Sequence, residues 1–414
     1  MVDVPQIPSA HQSTEAVNFA ATDAQNRQAA IVDLLRNLIR QKTHESSQCL
    51  AGSRLVETAM RENGFDVERH EPLDDAGEKL PTILGWLGKR TKYPDVLLCA
   101  HIDTSPGGTG WTRDPFGAEQ SDGLIYGRGS VVSKSDIACF IHAAAAAHLA
   151  APFGTVLVAV TSDEGSGGDH GAAYLLNEMG LRPALAIFPG FTDVITVGHN
   201  GCVQLKVRIS GASCHQSIVR PEEDAMRRAT QVCADIYAFA DALSISSEGP
   251  VKPTLNVTKT VGGTVFGMSP GEVEIWVDRR LTPEETLGVA RAELEGIFSK
   301  TASSRGTTLS VETVRMAEPM RPAPDQDAFV RILSEEGKST NGRDLPLAVS
   351  TLYTDARWFS NAGIPTIMFG AGESDISVSR ANGADERVPE HCLSDAAAIL
   401  ARAIVRHLLD RNTK

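Results

Sequence analysis

The residues with the clearest chemical potential are a histidine and an aspartate two positions apart, His101 and Asp103. They follow VLLCA, an apolar run that predicts a buried strand. A carboxylate at this spacing can orient the imidazole and fix its tautomer, which leaves one ring nitrogen for a metal ion or a substrate. A hydrogen-bonded core histidine is the alternative, but ligands bind at the carboxyl ends of strands in α/β sheets. The pair therefore predicts a functional site.

Strands and helices alternate around this pair. Runs such as VLLCA and TVLVAVT are apolar without alternation, which indicates strands of a sheet covered on both faces. An alanine-rich helix at about 135–149 lies between these two strands. A polar leader comes first, followed by amphipathic helices at about 25–40 and 52–63. The pattern predicts an α/β domain with a central, mostly parallel sheet flanked by helices.

A different pattern begins near Cys202. VQLKVRIS and EVEIWVDRR alternate between apolar and polar residues, as half-exposed strands do, and a helical stretch follows each of them. From about residue 317 the α/β pattern returns, with the apolar strand PTIMFG and a last helix. We therefore predict a catalytic domain at 1–202 and 317–414, with an inserted α+β domain at 203–316.

Composition limits the class of partner. The formal net charge of the 414 residues is -13, which argues against nucleic-acid and anionic-membrane partners and leaves a small-molecule substrate. The seven cysteines include no C-x-x-C pair, and an odd, scattered set suits a reducing compartment. The first residues lack the basic start and apolar segment of a signal peptide, and there is no long apolar run. We expect a cytoplasmic protein.

A series of motifs extends along nearly the whole chain. They are LLCAHIDTSP at 97–106, LIYGRG at 124–129, TSDEGSGGDHGA at 161–172, VGHNG at 197–201, GASCHQS at 211–217, TLNVTKTVGG at 254–263, VDRRLTP at 277–283, YTDARWFSNAGIPTIMFGAG at 353–372 and NGADERVP at 382–389. In this order they resemble the di-zinc aminoacylase and carboxypeptidase family, which includes acetylornithine deacetylase, succinyl-diaminopimelate desuccinylase and glutamate carboxypeptidase. The resemblance implies the same fold, whereas function must be argued from the site.

The resemblance implies roles for five further residues. Glu164 matches the general base, which takes a proton from the attacking water. His215 matches a histidine that stabilises the oxyanion from across a dimer interface, so the inserted domain is expected to form a homodimer or larger homo-oligomer. Arg280 matches an arginine that binds a substrate carboxylate. His199 and Asn382 fall in matched motifs and are expected to contact substrate.

The family's metal ligands are mostly replaced. By resemblance, Val132 stands in place of the bridging aspartate, Gly165 of a glutamate, Phe188 of a further carboxylate and Asn382 of the last histidine. Only His101 remains of these five ligands. Because a divalent ion needs about three protein donors, a standard two-zinc site is not expected.

Two metal states remain open. One labile divalent ion, zinc or manganese, requires that His101 and Glu164 recruit Asp103, Asp169 or His170. For Asp169 and His170 a solvated turn is the alternative. The second state has no metal, with His101 and Glu164 acting directly on water.

Two serines lie beside the lost bridging aspartate, in Ser133-Lys134-Ser135-Asp136. One interpretation is helix capping, in which Ser133 or Ser135 binds free backbone amides and Asp136 is favoured by the helix dipole. The other is chemical: His101 and Asp103 with a serine hydroxyl have the composition of a Ser-His-Asp triad, with Ser133 or Ser135 as the nucleophile. The sequence does not choose between them.

These observations favour a hydrolase that cleaves an amide or other C–N bond of a small, carboxylate-bearing substrate. A metal-free Ser-His-Asp hydrolase is one alternative. A binding subunit that has lost its chemistry but uses the old substrate cleft is another, and loss of four ligands favours it. Retention of Glu164 and His215 counts against it.

Overall fold

The chain forms two compact units. The computed structural model describes residues 10–246, 251–305, 308–323 and 325–412. The first unit comprises Met1–Val197, Pro322–Ala348 and Trp358–Lys414, and the second comprises Gly198–Arg321 and Val349–Arg357. The predicted insertion, 203–316, lies within the second unit. The second unit is larger than predicted, since it also contains residues 198–202, 317–321 and Val349–Arg357. Backbone bonds such as Asn200 N to Ser350 O attach the last of these segments to it.

Helices and strands alternate in the first unit as expected. The helices of the described residues are α1 (Ala10–Asn26), α2 (Gln28–Ile39), α3 (Cys49–Glu62), α4 (Lys134–Ala150), α5 (Ala172–Asn177), α6 (Ala225–Ser246), α7 (Leu287–Arg305), α8 (Asp327–Asn341), α9 (Ala356–Asn361), α10 (Ile376–Ser379) and α11 (Glu390–Asn412). Short 3-10 helices span Ser46–Gln48 and Glu164–Ser166. Among the residues covered by the structure, no helix is both long and apolar enough to cross a membrane.

The strands belong to both units. They are β1 (Asp66–His70), β2 (Thr82–Leu87), β3 (Val96–His101), β4 (Gln120–Ser121), β5 (Leu124–Tyr126), β6 (Val156–Thr161), β7 (Ala186–Phe188), β8 (Ile195–His199), β9 (Gly201–Ser210), β10 (Cys214–His215), β11 (Thr254–Gly262), β12 (Met268–Ser269), β13 (Glu272–Leu281), β14 (Leu309–Ala317), β15 (Leu347–Ser350), β16 (Thr366–Met368) and β17 (Arg387–Pro389).

The main sheet has the strand order β1-β2-β6-β3-β7-β16-β8-β15. Its four central strands, β6, β3, β7 and β16, pair in parallel, whereas β1, β2 and β8 join antiparallel. Every residue of β3 and β6 is buried, as their continuous apolar runs predict. The predicted fold class, a mostly parallel sheet flanked by helices, is confirmed.

Helix α4 is the centre of the helical layer. All residues from Lys134 to Ala147 are buried, and its alanines let α1, α2 and α11 pack closely against it. Helix α1 occupies most of the stretch predicted to be a polar leader. That prediction is wrong for Ala10–Asn26, because Val17, Ala20 and Ala24 form an apolar stripe that packs in the core. Residues 1–9 lie outside the described residues.

The second unit is an α+β structure. Its antiparallel sheet has the order β11-β13-β9-β14, and α6 and α7 pack against it. Strand β9 alternates between buried and half-buried residues, with Val203, Leu205 and Val207 in the core. The alternation in the sequence therefore corresponds to one covered sheet face, as predicted.

Histidines shielded from water make the stability of the fold depend on pH, and His142 is one of three, with His199 and His407, whose pKa burial lowers to about 4. His142 lies on α4 and is 4% exposed. Burial lowers the pKa of its imidazole from 6.5 to about 4, and the positive charge of Arg27 acts in the same direction. The folded protein therefore holds this ring neutral at pH values where the unfolded chain protonates it.

We predict that the free energy of unfolding falls as the pH drops from about 6.5 to about 4. In this range the unfolded chain binds a proton at His142 and the folded chain does not, which is worth up to about 3 kcal/mol for this residue. Thermal unfolding in buffers across this range measures the effect. His142→Leu should reduce the slope, and His11→Gln, at an exposed ring of α1, should not. Equal slopes in all three proteins would contradict the assignment to His142.

Candidate active site

The parallel pairing of β3 and β6 brings the candidate residues together. His101 ends β3 and is paired with Thr161, which ends β6, and Ile102 N donates to Thr161 O at 2.9 Å. The loops after both strands therefore leave the same edge of the sheet. As a result, one ligand atom from each of His101, Asp103 and Glu164 lies within 4.8 Å of the others.

The His101 ring is held by the residue two positions on, as predicted, but mainly through that residue's backbone. Nδ1 lies 3.0 Å from the carbonyl oxygen of Asp103 and 3.4 Å from its Oδ1. A carbonyl only accepts hydrogen bonds, so the neutral ring carries its proton on Nδ1. Nε2 then carries the ring's lone pair, and it lies 4.0 Å from Glu164 Oε2.

The Asp103 carboxylate fixes the loop that carries the general-base candidate. Its Oδ2 accepts from Gly165 N at 2.8 Å, and its Oδ1 accepts from Glu164 N at 3.3 Å. Burial alone would raise the pKa of Asp103, but the His101 imidazole and these two amides outweigh it and lower the pKa. Asp103 is therefore a charged anchor at neutral pH.

These three side chains fit one divalent ion. An imidazole nitrogen and two carboxylates are donors that zinc and manganese accept, and three protein donors leave positions for water.

The positions assigned by resemblance to further ligands do not fit a second ion. Phe188 is fully buried in β7, with its ring centroid 5.6 Å from that of Phe359. Val132 packs against the core of the first unit, and Gly165 has no side chain. Asn382 offers one neutral amide oxygen, which accepts from Ser105 Oγ at 3.5 Å. The donor set therefore lacks the carboxylates that a two-ion centre needs.

Neither interpretation of the serines matches the structure. Ser133 precedes α4, but its hydroxyl donates to His101 O at 3.0 Å and accepts from His101 N at 3.1 Å, and it binds no amide of the helix. Ser135 Oγ donates to Val131 O at 3.0 Å. Both serines are fully buried. Because both hydroxyls bind backbone groups and not the His101 ring, neither is placed to act as nucleophile.

Two of the three residues considered as recruited metal ligands, Asp169 and His170, do not join the His101 group. His170 Nε2 lies 3.2 Å from Asp75 Oδ1, and the Asp169 side chain is exposed. Neither belongs to a metal-binding group within the described residues. The buried Asp163 carboxylate, not Asp169, holds the backbone of this turn: it accepts a hydrogen bond from His170 N at 2.8 Å. Burial raises the pKa of Asp163 to about 6.

Three predicted residues lie in the second unit. His199 is fully buried, with Nδ1 2.9 Å from Asn200 O and Nε2 accepting from Thr354 N at 3.2 Å. The expected substrate contact is therefore wrong for His199, since neither ring nitrogen is available. His215 is exposed, with Nδ1 2.8 Å from Ser217 Oγ.

Arg280, the third of these residues, already binds a carboxylate. It donates to Asp278 Oδ1 from Nε at 2.7 Å and to Asp278 Oδ2 from Nη2 at 3.1 Å. The two-bond contact that Arg280 was expected to make with a substrate carboxylate is therefore made with Asp278 of the same unit.

Buried polar residues that the sequence reasoning passed over hold the loop containing Val132. Glu386 accepts from Val131 N at 3.0 Å and Val132 N at 3.2 Å, and Arg128 donates to it at 2.8 Å. Lys134 is fully buried and donates from Nζ to Gln41 O at 2.8 Å. Burial lowers the pKa of Lys134 to about 8. Arg128 lies in the motif LIYGRG and Glu386 in NGADERVP, and their presence in these motifs is the sequence feature that could have identified them.

Asp136 was expected to place a negative charge that the dipole of α4 favours, but its side chain has a different role. Its Oδ1 accepts from Ala371 N at 2.9 Å, and burial raises its pKa well above the usual value. A Cβ at Gly370 would lie 1.7 Å from this oxygen, so only glycine fits there. Asp136 therefore ties α4 to the segment after β16.

Comparison with known proteins gives consistent results. Residues 97–406 match the family described as peptidase family M20/M25/M40. Acetylornithine deacetylase of Myxococcus xanthus is 30% identical over 352 residues, which cover 82% of this chain and 88% of that protein. Succinyl-diaminopimelate desuccinylase of Novosphingobium aromaticivorans is 28% identical over 280 residues, which cover 65% and 71%. The dipeptidase Dug1p of Saccharomyces cerevisiae matches in fold, with a TM-score of 0.74, 15% identity and coverage of 95% and 98%.

We predict that Ser133→Ala lowers the free energy of unfolding but has only a small effect on turnover. The change leaves the buried His101 N–H without the hydroxyl that binds it, which costs about 1–3 kcal/mol. Chemical denaturation measures this loss, and turnover at saturating substrate should fall far less than the roughly ten-thousand-fold expected for a lost nucleophile. Ser135→Ala, which removes one bond to Val131 O, is the matched control. A folded Ser133→Ala protein without turnover would restore the serine mechanism.

Proposed function

Because the chain belongs to peptidase family M20/M25/M40, we propose that it hydrolyses an amide bond of a small, carboxylate-bearing molecule at His101, Asp103 and Glu164. The broader statement, that it is a hydrolase of amide bonds, follows from the family and from relatives such as acetylornithine deacetylase. The substrate class, the metal content and the residue roles are our proposal.

The observation that carries the proposal is the position of Glu164 Oε2, 4.0 Å from His101 Nε2. The Glu164 carboxylate takes a proton from water while the water oxygen forms a bond to the amide carbon. The C–N bond then breaks, and the proton passes from Glu164 to the leaving nitrogen. The products are a carboxylic acid and an amine, and the acid then passes its proton to the amine or to solvent, which leaves a carboxylate. His101 Nε2 accepts the second hydrogen of the water and so orients it.

At most one divalent ion, zinc or manganese, belongs to this proposal. His101, Asp103 and Glu164 would hold it, and the absence of further donors at Val132 and Phe188 would make it labile. When bound, such an ion polarises a carbonyl and lowers the pKa of water. The residues alone still provide a base and an oriented water. The Ser-His-Asp alternative has no support from the positions of the serine hydroxyls.

A cluster of arginines in the second unit supports a carboxylate-bearing substrate. The guanidinium groups of Arg280, Arg315 and Arg357 lie 5.7 to 5.8 Å from the ring centroid of Tyr353, and Arg315 donates to the Tyr353 hydroxyl. Asp278 pairs with Arg280 and Asp355 with Arg357, so the three arginines exceed these two carboxylates by one positive charge. We propose that this cluster, and not Arg280 alone, gives the second unit its affinity for a carboxylate.

The oligomer is part of the proposal because His215 is expected to serve a neighbouring subunit. Gln216 N donates to Gly267 O at 2.8 Å, which places the segment after His215 beside the β12 turn. Apolar side chains are exposed on both segments: Ile218 is 70% exposed, and Phe266 is fully exposed. A homodimer formed through this surface covers side chains that water solvates poorly.

We predict that the His101 group holds at most about one labile equivalent of zinc or manganese and that Glu164→Gln lowers kcat by about 10²–10⁴-fold. The amide is isosteric but cannot take a proton from water. Elemental analysis and assays on a panel of N-acyl amino acids, with and without chelator, measure both quantities. Asp169→Asn, in the same loop but outside the ligand group, should change neither.

Two outcomes would contradict the proposal. Two tightly bound equivalents of metal at the His101 group itself would show that a dinuclear centre is formed with other residues of the chain. Specific binding of N-acyl amino acids without turnover, unchanged in Glu164→Gln, would identify a binding subunit, the function that the loss of metal donors favours.

We predict that the protein sediments as a homodimer or larger homo-oligomer and that Phe266→Asp shifts it toward monomer. A charge in the centre of an apolar interface is strongly unfavourable. Analytical ultracentrifugation measures the shift, with Val289→Asp, at a 59% exposed position on α7, as the control. If His215 acts across the interface, turnover falls with dimer content. A fully active monomer would refute this part of the proposal.

A further inference from the structure

A second group of metal-binding side chains lies in the first unit, formed by Glu373, His391 and Cys392. Glu373 follows β16, and the other two residues lie in the first turn of α11. Cys392 Sγ is 3.6 Å from His391 Nε2 and 4.0 Å from Glu373 Oε1. None of the three belongs to the group formed by His101, Asp103 and Glu164, and none falls within the motifs that resemble the family.

The separations match those of a shared ion. With Zn–S of about 2.3 Å and Zn–N of about 2.0–2.1 Å, tetrahedral coordination places the sulfur and nitrogen about 3.6 Å apart. The observed sulfur–nitrogen distance is 3.6 Å, and the sulfur–oxygen distance must close by only a few tenths of an ångström. A thiolate, an imidazole and a carboxylate are also the donor types that zinc prefers.

The surroundings favour a cation. Burial and the negative charge of Glu373 are the largest effects that raise the pKa of the Cys392 thiol to about 12. Asp395 and Asp193 lie close enough to act in the same direction. Asp193 also holds the residue after Glu373, accepting from Ser374 N at 3.0 Å and from its hydroxyl at 2.7 Å. Cys392 is 2% exposed, whereas His391 is exposed, so an ion could enter from solvent while the thiolate stays shielded.

We propose that Glu373, His391 and Cys392 form a second, mononuclear zinc site, completed by water. The ion connects the end of β16 to the start of α11 and so closes the intervening segment, which carries Asn382 and Glu386. Its role is to hold that segment in place, because Zn²⁺ displaces the thiol proton and binds three groups at once. The proposal is independent of the proposed hydrolase activity.

Cobalt substitution tests this site separately from the active site. The full-length protein is stripped with chelator and titrated with Co²⁺ as the probe. A sulfur-to-cobalt charge-transfer band in the near ultraviolet is expected, because Cys392 supplies a thiolate, whereas the His101 group contains no sulfur. Thermal unfolding should also shift to higher temperature when Zn²⁺ is added.

Variants identify the ligands. His391→Ala, at an exposed residue that should not disturb folding, and Cys392→Ser should each abolish the band and remove about one equivalent of bound Co²⁺. Cys214→Ser, at a half-buried thiol in the second unit, should retain it, and Glu164→Gln should retain it too. Absence of the band in the folded wild-type protein, or its persistence in both ligand variants, would overturn the proposal and leave a hydrogen-bonded thiol.

Discussion

The parallel register between β3 and β6 is the constraint from which the active site follows. Because His101 is paired with Thr161, the two loops that leave these strands begin side by side. Asp103 then joins them: its carbonyl binds the His101 ring, and its carboxylate accepts the amides of Glu164 and Gly165. Glu164 and the His101 imidazole thus owe their separation to backbone pairing and one anchored carboxylate.

A second polar network supports the loop that contains Val132. Glu386 accepts the amides of Val131 and Val132 and pairs with Arg128, with both charged groups almost fully buried. Removing one member of such a pair leaves an uncompensated buried charge, which is strongly destabilising. The loop is therefore fixed by hydrogen bonds from protein groups. Selection for stability can retain it independently of selection for metal binding.

The sequence predicted those features that follow from periodicity and strand ends. Continuous apolar runs indicated β3 and β6, the strand-end position of His101 indicated a functional site, and only the family resemblance added Glu164 to that site. Side-chain direction is a different matter. Ser133 could equally have faced the helix amides, the imidazole or the backbone of β3, and only the packing of α4 against β3 decides this. The direction of the His199 ring could not be predicted either, since its hydrogen-bonding partner Thr354 lies far away in the sequence.

The first helix and the domain boundary were also mispredicted because they depend on contacts with distant parts of the chain. The stripe of Val17, Ala20 and Ala24 is too weakly apolar to stand out from a polar leader until α4 and α11 supply surfaces of matching small residues. Val349–Arg357 is too short to show a domain's character by composition. Its hydrogen bonds, not its pattern, assign it to the second unit.

The path of the chain through the two units has a practical consequence for genetic dissection. The backbone passes between them at four junctions, after Val197, Arg321, Ala348 and Arg357. A gene fragment encoding residues 198–321 would lack Val349–Arg357 and with it the carbonyl and amide of Thr354 that bind His199. The complementary deletion would leave those nine residues without their hydrogen-bonding partners. Neither unit can be cut out or transplanted as one continuous stretch, so recombination that exchanges whole modules must carry both pieces together.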